Sequence, residues 1–158
     1  MNRRIFADLI AWKKSKRRKP LVLMGARQVG KTYALDWLMH KEFGNGLYVN
    51  FEERPAAKSF FDGKLDPDSI VANLGTLFHK KVDPAQTLLI FDEIQECPKA
   101  LTSLKYFCEK APAYPVAAAG SLLGIKMPKE SGFPVGKVNF LHMYPLTFVE
   151  FIEALGEC

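Results

Sequence analysis

Gly25-Ala26-Arg27-Gln28-Val29-Gly30-Lys31-Thr32 is the stretch that decides the fold of this chain. It meets the pattern G-x-x-x-x-G-K-[ST] at every constrained position. The spacing has a chemical reason. Glycines let the backbone wrap closely around phosphate oxygens. Successive N–H groups then point inward as an anion nest, and the helix that follows adds its positive N-terminal end. Lys31 is placed to bridge the β- and γ-phosphates, and the Thr32 hydroxyl to ligate Mg²⁺. A chain of this length meets the pattern by chance about 0.5% of the time, and the context here is also right. Leu21-Val22-Leu23-Met24 is a compact apolar strand before the loop, and a helical pattern runs after it through His40. Gly25 to Thr32, with Tyr33, is therefore the predicted nucleotide-binding segment. The dinucleotide fingerprint G-x-G-x-x-G is absent.

Outward from the loop, strand and helix signals alternate. Ile5, Leu9, Ile10 and Trp12 predict a short amphipathic N-terminal helix. Gly44-Asn45-Gly46 is a turn, and Leu47 to Phe51 reads as a second strand. Residues 54–67 read mostly as loop, with one helical turn at most. Asp68 is the predicted N-cap of a helix carrying Ile70, Val71, Leu74, Leu77 and Phe78. Thr87 to Phe91 is a third strand, and Pro98 suits the first turn of the next helix. Pro115 to Ala119 and Val138 to Met143 are further strands, separated by a loop rich in proline and glycine. Thr147 and Glu150 have capping-box spacing for a last helix. Strands alternating with helices predict βαβ units and a parallel sheet, an α/β fold.

Leu88-Leu89-Ile90-Phe91-Asp92-Glu93 ends an apolar strand in two carboxylates, 61 residues beyond Lys31. A buried parallel strand delivers its last residues to the carboxyl edge of the sheet, where ligands bind. Asp92 would hold Mg²⁺ there, through water. Glu93 would polarise an attacking water as general base. The second carboxylate also separates reaction classes. A switch-type GTPase would want glycine three positions after the aspartate, where this chain has Gln95, and no Asn-Lys-x-Asp guanine motif occurs. Small-molecule kinases of this class bring arginines on a lid, and no arginine follows Arg54.

Composition sets outer bounds. The 158 residues are 48% hydrophobic and 25% charged, ordinary for one globular domain. No apolar run approaches the roughly 18–20 residues of a membrane-spanning helix, so no membrane partner is predicted. Cys97, Cys108 and Cys158 match no zinc spacing and read as reduced structural thiols of a cytoplasmic protein. The net charge of +5 is uneven. Residues 1–19 hold eight of the 22 basic residues and one of the 17 acids, and the remainder is slightly acidic. A basic N-terminal helix and linker over 1–19 is thus distinguished from a core over 20–158. Six cations in Lys13–Lys19 make a candidate electrostatic contact for nucleic acid, without interleaved aromatics for stacking. His40, His79 and His142 read as structural or surface residues, and Trp12 and Trp37 as core.

Gly25–Thr32, Leu88–Gln95, Gly120-Ser121 and the stretch from Gly136-Lys137-Val138 through Tyr144-Pro145-Leu146-Thr147-Phe148-Val149-Glu150-Phe151 together resemble AAA-type ATPase domains of bacteria and archaea. The likeness runs from about Ile5 to Leu155, and the tyrosine-proline-leucine segment is its most specific piece. It implies a P-loop three-layer sandwich on a mainly parallel five-stranded sheet of order 5-1-4-3-2, with ATP and Mg²⁺ bound. It implies that Lys31, Glu93 and Ser121 act in catalysis, Ser121 as a sensor of the γ-phosphate. Ser121 also suits the N-cap of the residues after it. Within the loop, Arg27 is read as pointing outward, since backbone donors fill the nest. Where the family often has arginine after the glycine at position 136, this chain has Lys137, which lacks the planar fork. All six arginines lie at or before Arg54. An arginine finger would then come from Arg27, Arg54, the N-terminal arginines, a partner protein or another copy, so slow intrinsic hydrolysis is predicted. A nucleotide-gated binding module for DNA or protein, with little turnover, is the alternative reading. In that family the ATPase core usually precedes a C-terminal domain of unknown function. The helical lid and that domain are expected to be missing from this chain.

Overall fold

The computed structural model describes residues 4–26, 29–121, 136–144, 149, 152, 155 and 156. Five strands form one sheet: β1 (Leu21–Met24), β2 (Asn45–Asn50), β3 (Thr87–Asp92), β4 (Val116–Gly120) and β5 (Asn139–His142). Their order is β2-β3-β4-β1-β5, and every neighbouring pair is parallel. This is the order expected from the family resemblance, read from the other edge. β1, β3 and β4 are buried at every residue. Leu21–Met24, Leu88–Phe91 and Val116–Ala119 within them are accordingly unbroken apolar runs rather than alternating ones, because a parallel sheet is covered on both faces.

The two-residue period of a strand divides the core into two layers. On one face, Leu21, Leu23, Leu88, Ile90, Ala117 and Ala119 pack with α1 (Arg4–Lys14) and α2 (Lys31–Leu38) through Ile5, Leu9, Trp12, Leu35 and Leu38. On the other, Val22, Leu89, Phe91, Val116 and Ala118 pack with α3 (Pro67–Phe78) and α4 (Pro98–Lys110) through Ile70, Leu74, Leu104 and Phe107. Phe91 is the hub of the second layer. It meets Phe51, Phe61 and Phe107 edge-on at centroid distances of 5.9, 5.6 and 6.2 Å, the arrangement that ring quadrupoles favour.

Several boundaries differ from the sequence reading. The second strand begins at Asn45 and ends at Asn50, because the Asn45 and Gly46 backbones pair with Thr87 and Leu88. The N-cap of α3 is Asp66, not Asp68. Asp66 is extended, and its carboxylate accepts from the Ser69 amide at 3.1 Å and hydroxyl at 2.9 Å, with Pro67 in the first turn. Asp68 instead accepts from the Tyr114 hydroxyl at 3.3 Å. The segment read as loop over 54–67 contains a 3₁₀ helix, Pro55–Phe61, whose Ala57 and Phe61 are buried. The helix after the phosphate loop passes at Met39–Phe43 into a π-helical turn, closed by Gly44 at φ 73°. Trp12 is core as expected, while Trp37 is half-buried and stacks on Phe6 at 4.2 Å. The capping pair Thr147 and Glu150, and Cys158, lie outside the described residues.

Candidate functional site

Parallel strands present their carboxyl ends along one edge, and the chemistry-bearing residues gather there. Met24 ends β1 and leads into the phosphate loop, Asp92 ends β3, and Ser121 follows β4. Gly30, Lys31, Thr32, Glu52, Asp92, Glu93 and Ser121 line one cavity of about 350 Å³. A larger and more open groove of about 480 Å³, between α3 and Tyr114, contains none of these groups. The smaller cavity is the one at the carboxyl edge of the sheet, where the phosphate loop and the acidic end of β3 meet.

The loop is shaped by its glycines. Gly30 sits at φ 93°, ψ 25°, a left-handed turn that releases the chain into α2. Gly25 is a point of close approach, since a Cβ there would lie 2.5 Å from the Met143 carbonyl oxygen. Lys31 Nζ donates to the carbonyl oxygens of Gly25 and Ala26, both at 2.7 Å. The ammonium thus lies folded back along the loop's own backbone. Arg27 and Gln28 lie outside the described residues. Val29 is buried in the same apolar layer as Ala34 and Leu35 of α2. Tyr33 does not line the cavity; its ring is 54% exposed and stands 6.3 Å from Phe6.

Asp92 is the most connected residue of the site and only 3% exposed. Its Oδ2 accepts from the Thr32 hydroxyl at 2.7 Å and also from the Tyr48 hydroxyl. Its Oδ1 accepts from the Glu93 amide at 2.9 Å. Burial, and then the bonded Asp92 carboxylate, push the Tyr48 phenol well above its ordinary value, so it stays a neutral donor. Asn50 Nδ2 reaches the Tyr48 oxygen at 3.5 Å, and Asn50 Oδ1 accepts from the amides of Glu52 and Glu53 at 2.9 and 3.1 Å. Glu93 is left-handed, at φ 53°, ψ 45°, and its carboxylate accepts from Gln95 Nε2. Gln95 Oε1 is buried with no hydrogen-bond partner.

Of the residues singled out from sequence, the structure brings Gly30, Lys31, Thr32, Asp92, Glu93 and Ser121 to one cavity. The sequence reading misses Tyr48, Asn50, Glu52 and Gln95. Tyr48 and Asn50 carried a faint signal, since polar residues alternate with Leu47, Val49 and Phe51 on that strand. The donor set fits Mg²⁺: a hydroxyl and a buried carboxylate in contact are hard oxygen ligands of the kind it selects. Thr32 and Asp92 would hold it.

The cations elsewhere are largely engaged. Lys13 reaches the Glu42 carbonyl and carboxylate and lies 5.0 Å from the Phe43 ring. Arg18 lies 5.6 Å from the Trp12 ring, whose indole donates to the Lys19 carbonyl at 2.7 Å, and burial lowers the pKa of this guanidinium. Arg54 lies over Phe78 at 5.2 Å, and Lys137 pairs with Glu109 at 3.4 Å. None of the three histidines lines the cavity.

Residues 17–152 match the family model described as an AAA domain. Solved structures share the fold at low identity. The Walker-type ATPase PABY2304 of Pyrococcus abyssi is 16% identical with a TM-score of 0.62, over 99% of this chain and 57% of that one. The Orc1 protein of Aeropyrum pernix in complex with DNA is 16% identical with a TM-score of 0.58, over 98% and 47%. Unliganded Pif1 from a Bacteroides species is 14% identical with a TM-score of 0.51, over 99% and 45%. The chain spans about half the length of these structures. Among curated proteins, none matches it.

Proposed function

The chain belongs to the AAA domain family, and from that premise we propose that it binds ATP with Mg²⁺ at the carboxyl edge of its sheet and hydrolyses the β–γ bond slowly. The observation that carries this reading is the contact of the Thr32 hydroxyl with Asp92, 2.7 Å apart, in a cavity shared with Lys31 and Glu93. The loop amides and Lys31 bind phosphate oxygens. The lysine exchanges its two carbonyl partners for phosphate, a stronger, charge-assisted acceptor. Thr32 and Asp92 would hold Mg²⁺, which would supply positive charge against the phosphate oxygens. Glu93 takes a proton from the attacking water, and Ser121 hydrogen-bonds near the γ-phosphate. An arginine aimed at the phosphates would stabilise the transition state by factors of 10³–10⁵ where present. No arginine follows Arg54 in the chain, and Arg54 lies over the Phe78 ring, so this reading includes slow turnover until Arg27, an N-terminal arginine, a partner or a second copy supplies the charge.

Two substitutions test the assignment. Lys31→Ala should abolish measurable ATP binding in an equilibrium fluorescence titration. Glu93→Gln should keep binding and reduce single-turnover hydrolysis at least 100-fold, within the usual range for a general base. Unchanged affinity in the first, or unchanged hydrolysis in the second, would overturn these roles.

The basic segment supports a weaker, additional contact with nucleic acid. Lys14, Lys16 and Arg17 are exposed, and one structure that shares the fold, the Aeropyrum pernix Orc1 protein, is a complex with DNA.

A further inference from the structure

We propose that Tyr48 is a positioning residue of the metal-binding pair, holding the Asp92 carboxylate toward Thr32 for Mg²⁺·ATP; this rests on the nucleotide-binding reading above. β2 runs beside β3 in parallel, with Tyr48 opposite Ile90 and Asn50 opposite Asp92. Positions 48, 50, 90 and 92 lie on one face of the sheet, the face that packs α2. Thr32 opens α2 on that same face. Asn50 stands directly across from Asp92, but its amide oxygen is turned to the Glu52 and Glu53 amides. The longer Tyr48 side chain, starting one pleat lower, delivers its hydroxyl to Asp92 Oδ2 instead.

The consequence is set by acceptor counting. An ionised carboxylate offers about four acceptor positions. Thr32, Tyr48 and the Glu93 amide fill three of them. Bonds to a charged acceptor are the strong kind, and bonds to both oxygens stop the carboxylate rotating. A threonine hydroxyl has one proton and two lone pairs. It can keep donating to Asp92 while a lone pair serves the cation, provided Oδ2 stays where it is. Tyr48 is the second group that keeps it there. Asn50, at 3.5 Å from the phenol oxygen, flanks the tyrosine. Apolar residues of the α2 layer pack against its ring.

The test is equilibrium binding of a fluorescent ATP analogue, titrated with Mg²⁺, for the wild-type chain and Tyr48→Phe, with circular dichroism as the check on folding. Outer-shell partners of metal ligands typically contribute 10–100-fold to metal affinity. The Mg²⁺ concentration that half-saturates the tightening should accordingly rise about tenfold or more in Tyr48→Phe, while affinity for the analogue in excess EDTA stays at the wild-type value. Mn²⁺ bound to the nucleotide complex, followed by electron paramagnetic resonance, should weaken in parallel. Tyr48→Met, also without a hydroxyl, carries the same expectation if the phenylalanine variant does not fold. A folded variant with wild-type Mg²⁺ dependence overturns the role of Tyr48 and leaves the nucleotide site standing. Failure of both variants to fold also overturns it, because the hydroxyl would then serve the fold. A wild-type chain whose nucleotide affinity ignores Mg²⁺ overturns the underlying reading itself.

Discussion

At Glu93 the backbone turns left-handed, with φ 53° and ψ 45°, immediately after the buried Asp92. A side chain other than glycine pays for that conformation with about 1–3 kcal/mol of strain, and the bonds around it hold it in place. The Glu93 amide donates to Asp92 Oδ1, and the Glu93 carboxylate accepts from Gln95. Apolar strand, aspartate and glutamate were all legible from spacing. The left-handed turn and the Gln95 contact were not, because a dipeptide of two acids carries no local signal for either. Gly25 makes the same point with a measurable outcome. The motif explains a glycine there by phosphate approach, but the fold adds a second reason: the Met143 carbonyl occupies the space a Cβ would take. The Met143 amide also donates to the Met24 carbonyl at 2.7 Å, so β1 and β5 leave the sheet pressed together. Gly25→Ala should therefore lower stability by about 1–3 kcal/mol, the usual penalty of overpacking, seen as a lower urea midpoint without nucleotide. An unchanged midpoint would mean the two strand ends separate at no cost.

Among elements, α3 shows how a helix start can be placed two residues off. Asp66-Pro67-Asp68-Ser69 contains two acids that suit an N-cap. The choice falls on Asp66 because proline has no N–H to donate and fits the first helical position. The aspartate before it then reaches the Ser69 amide. That capping holds the Asp66 carboxyl below its ordinary value, through the Ser69 hydroxyl first and amide second. The sign follows directly. A carboxyl whose folded pKa is depressed stabilises the fold above its unfolded pKa and loses that contribution as pH falls through the folded value. Asp66→Ala should lower the Tm at pH 7, and the difference from wild type should shrink steadily below about pH 4. Melting curves by circular dichroism across pH 2.5–7 read this, and a difference independent of pH would exclude the charged cap as its source. The 3₁₀ helix Pro55–Phe61 was missed for another reason. The prolines, glycine and charges of residues 54–67 are turn signals locally, yet Ala57 and Phe61 are drawn into the Phe91 layer, and tertiary burial overrides local propensity.

At the scale of the whole molecule, the uneven charge acquires a smaller effective value. The N-terminal segment is strongly basic, but Lys13 is spent on Glu42 and Phe43, and Arg18 on Trp12. Within the stretch 13–19, this leaves Lys14, Lys16, Arg17 and Lys19 for an outside polyanion bound there. Four cations can release about four counterions from a duplex, so log K against log salt should have a slope no steeper than about −4. Fluorescence anisotropy with labelled duplex between 50 and 200 mM salt reads it. A triple change of Lys14, Lys16 and Arg17 to Gln should remove most of the binding. A steeper slope, or binding that survives the triple change, would place the contact elsewhere.

Read alone, the sequence determined the class of this protein: a phosphate loop between strand and helix, an acidic strand end 61 residues later, and unbroken apolar strands that demand a sheet covered on both faces. Those are short-range facts, because loop chemistry and strand burial are written in neighbouring residues. Tertiary structure alone decided which partners complete the site. Tyr48 meets Asp92 across 44 residues, Thr32 meets it across 60, and Arg54 is turned toward Phe78 rather than the cavity. Such contacts depend on strand register and side-chain reach. They exist only once β2, β3 and α2 have been brought to the same face of one sheet.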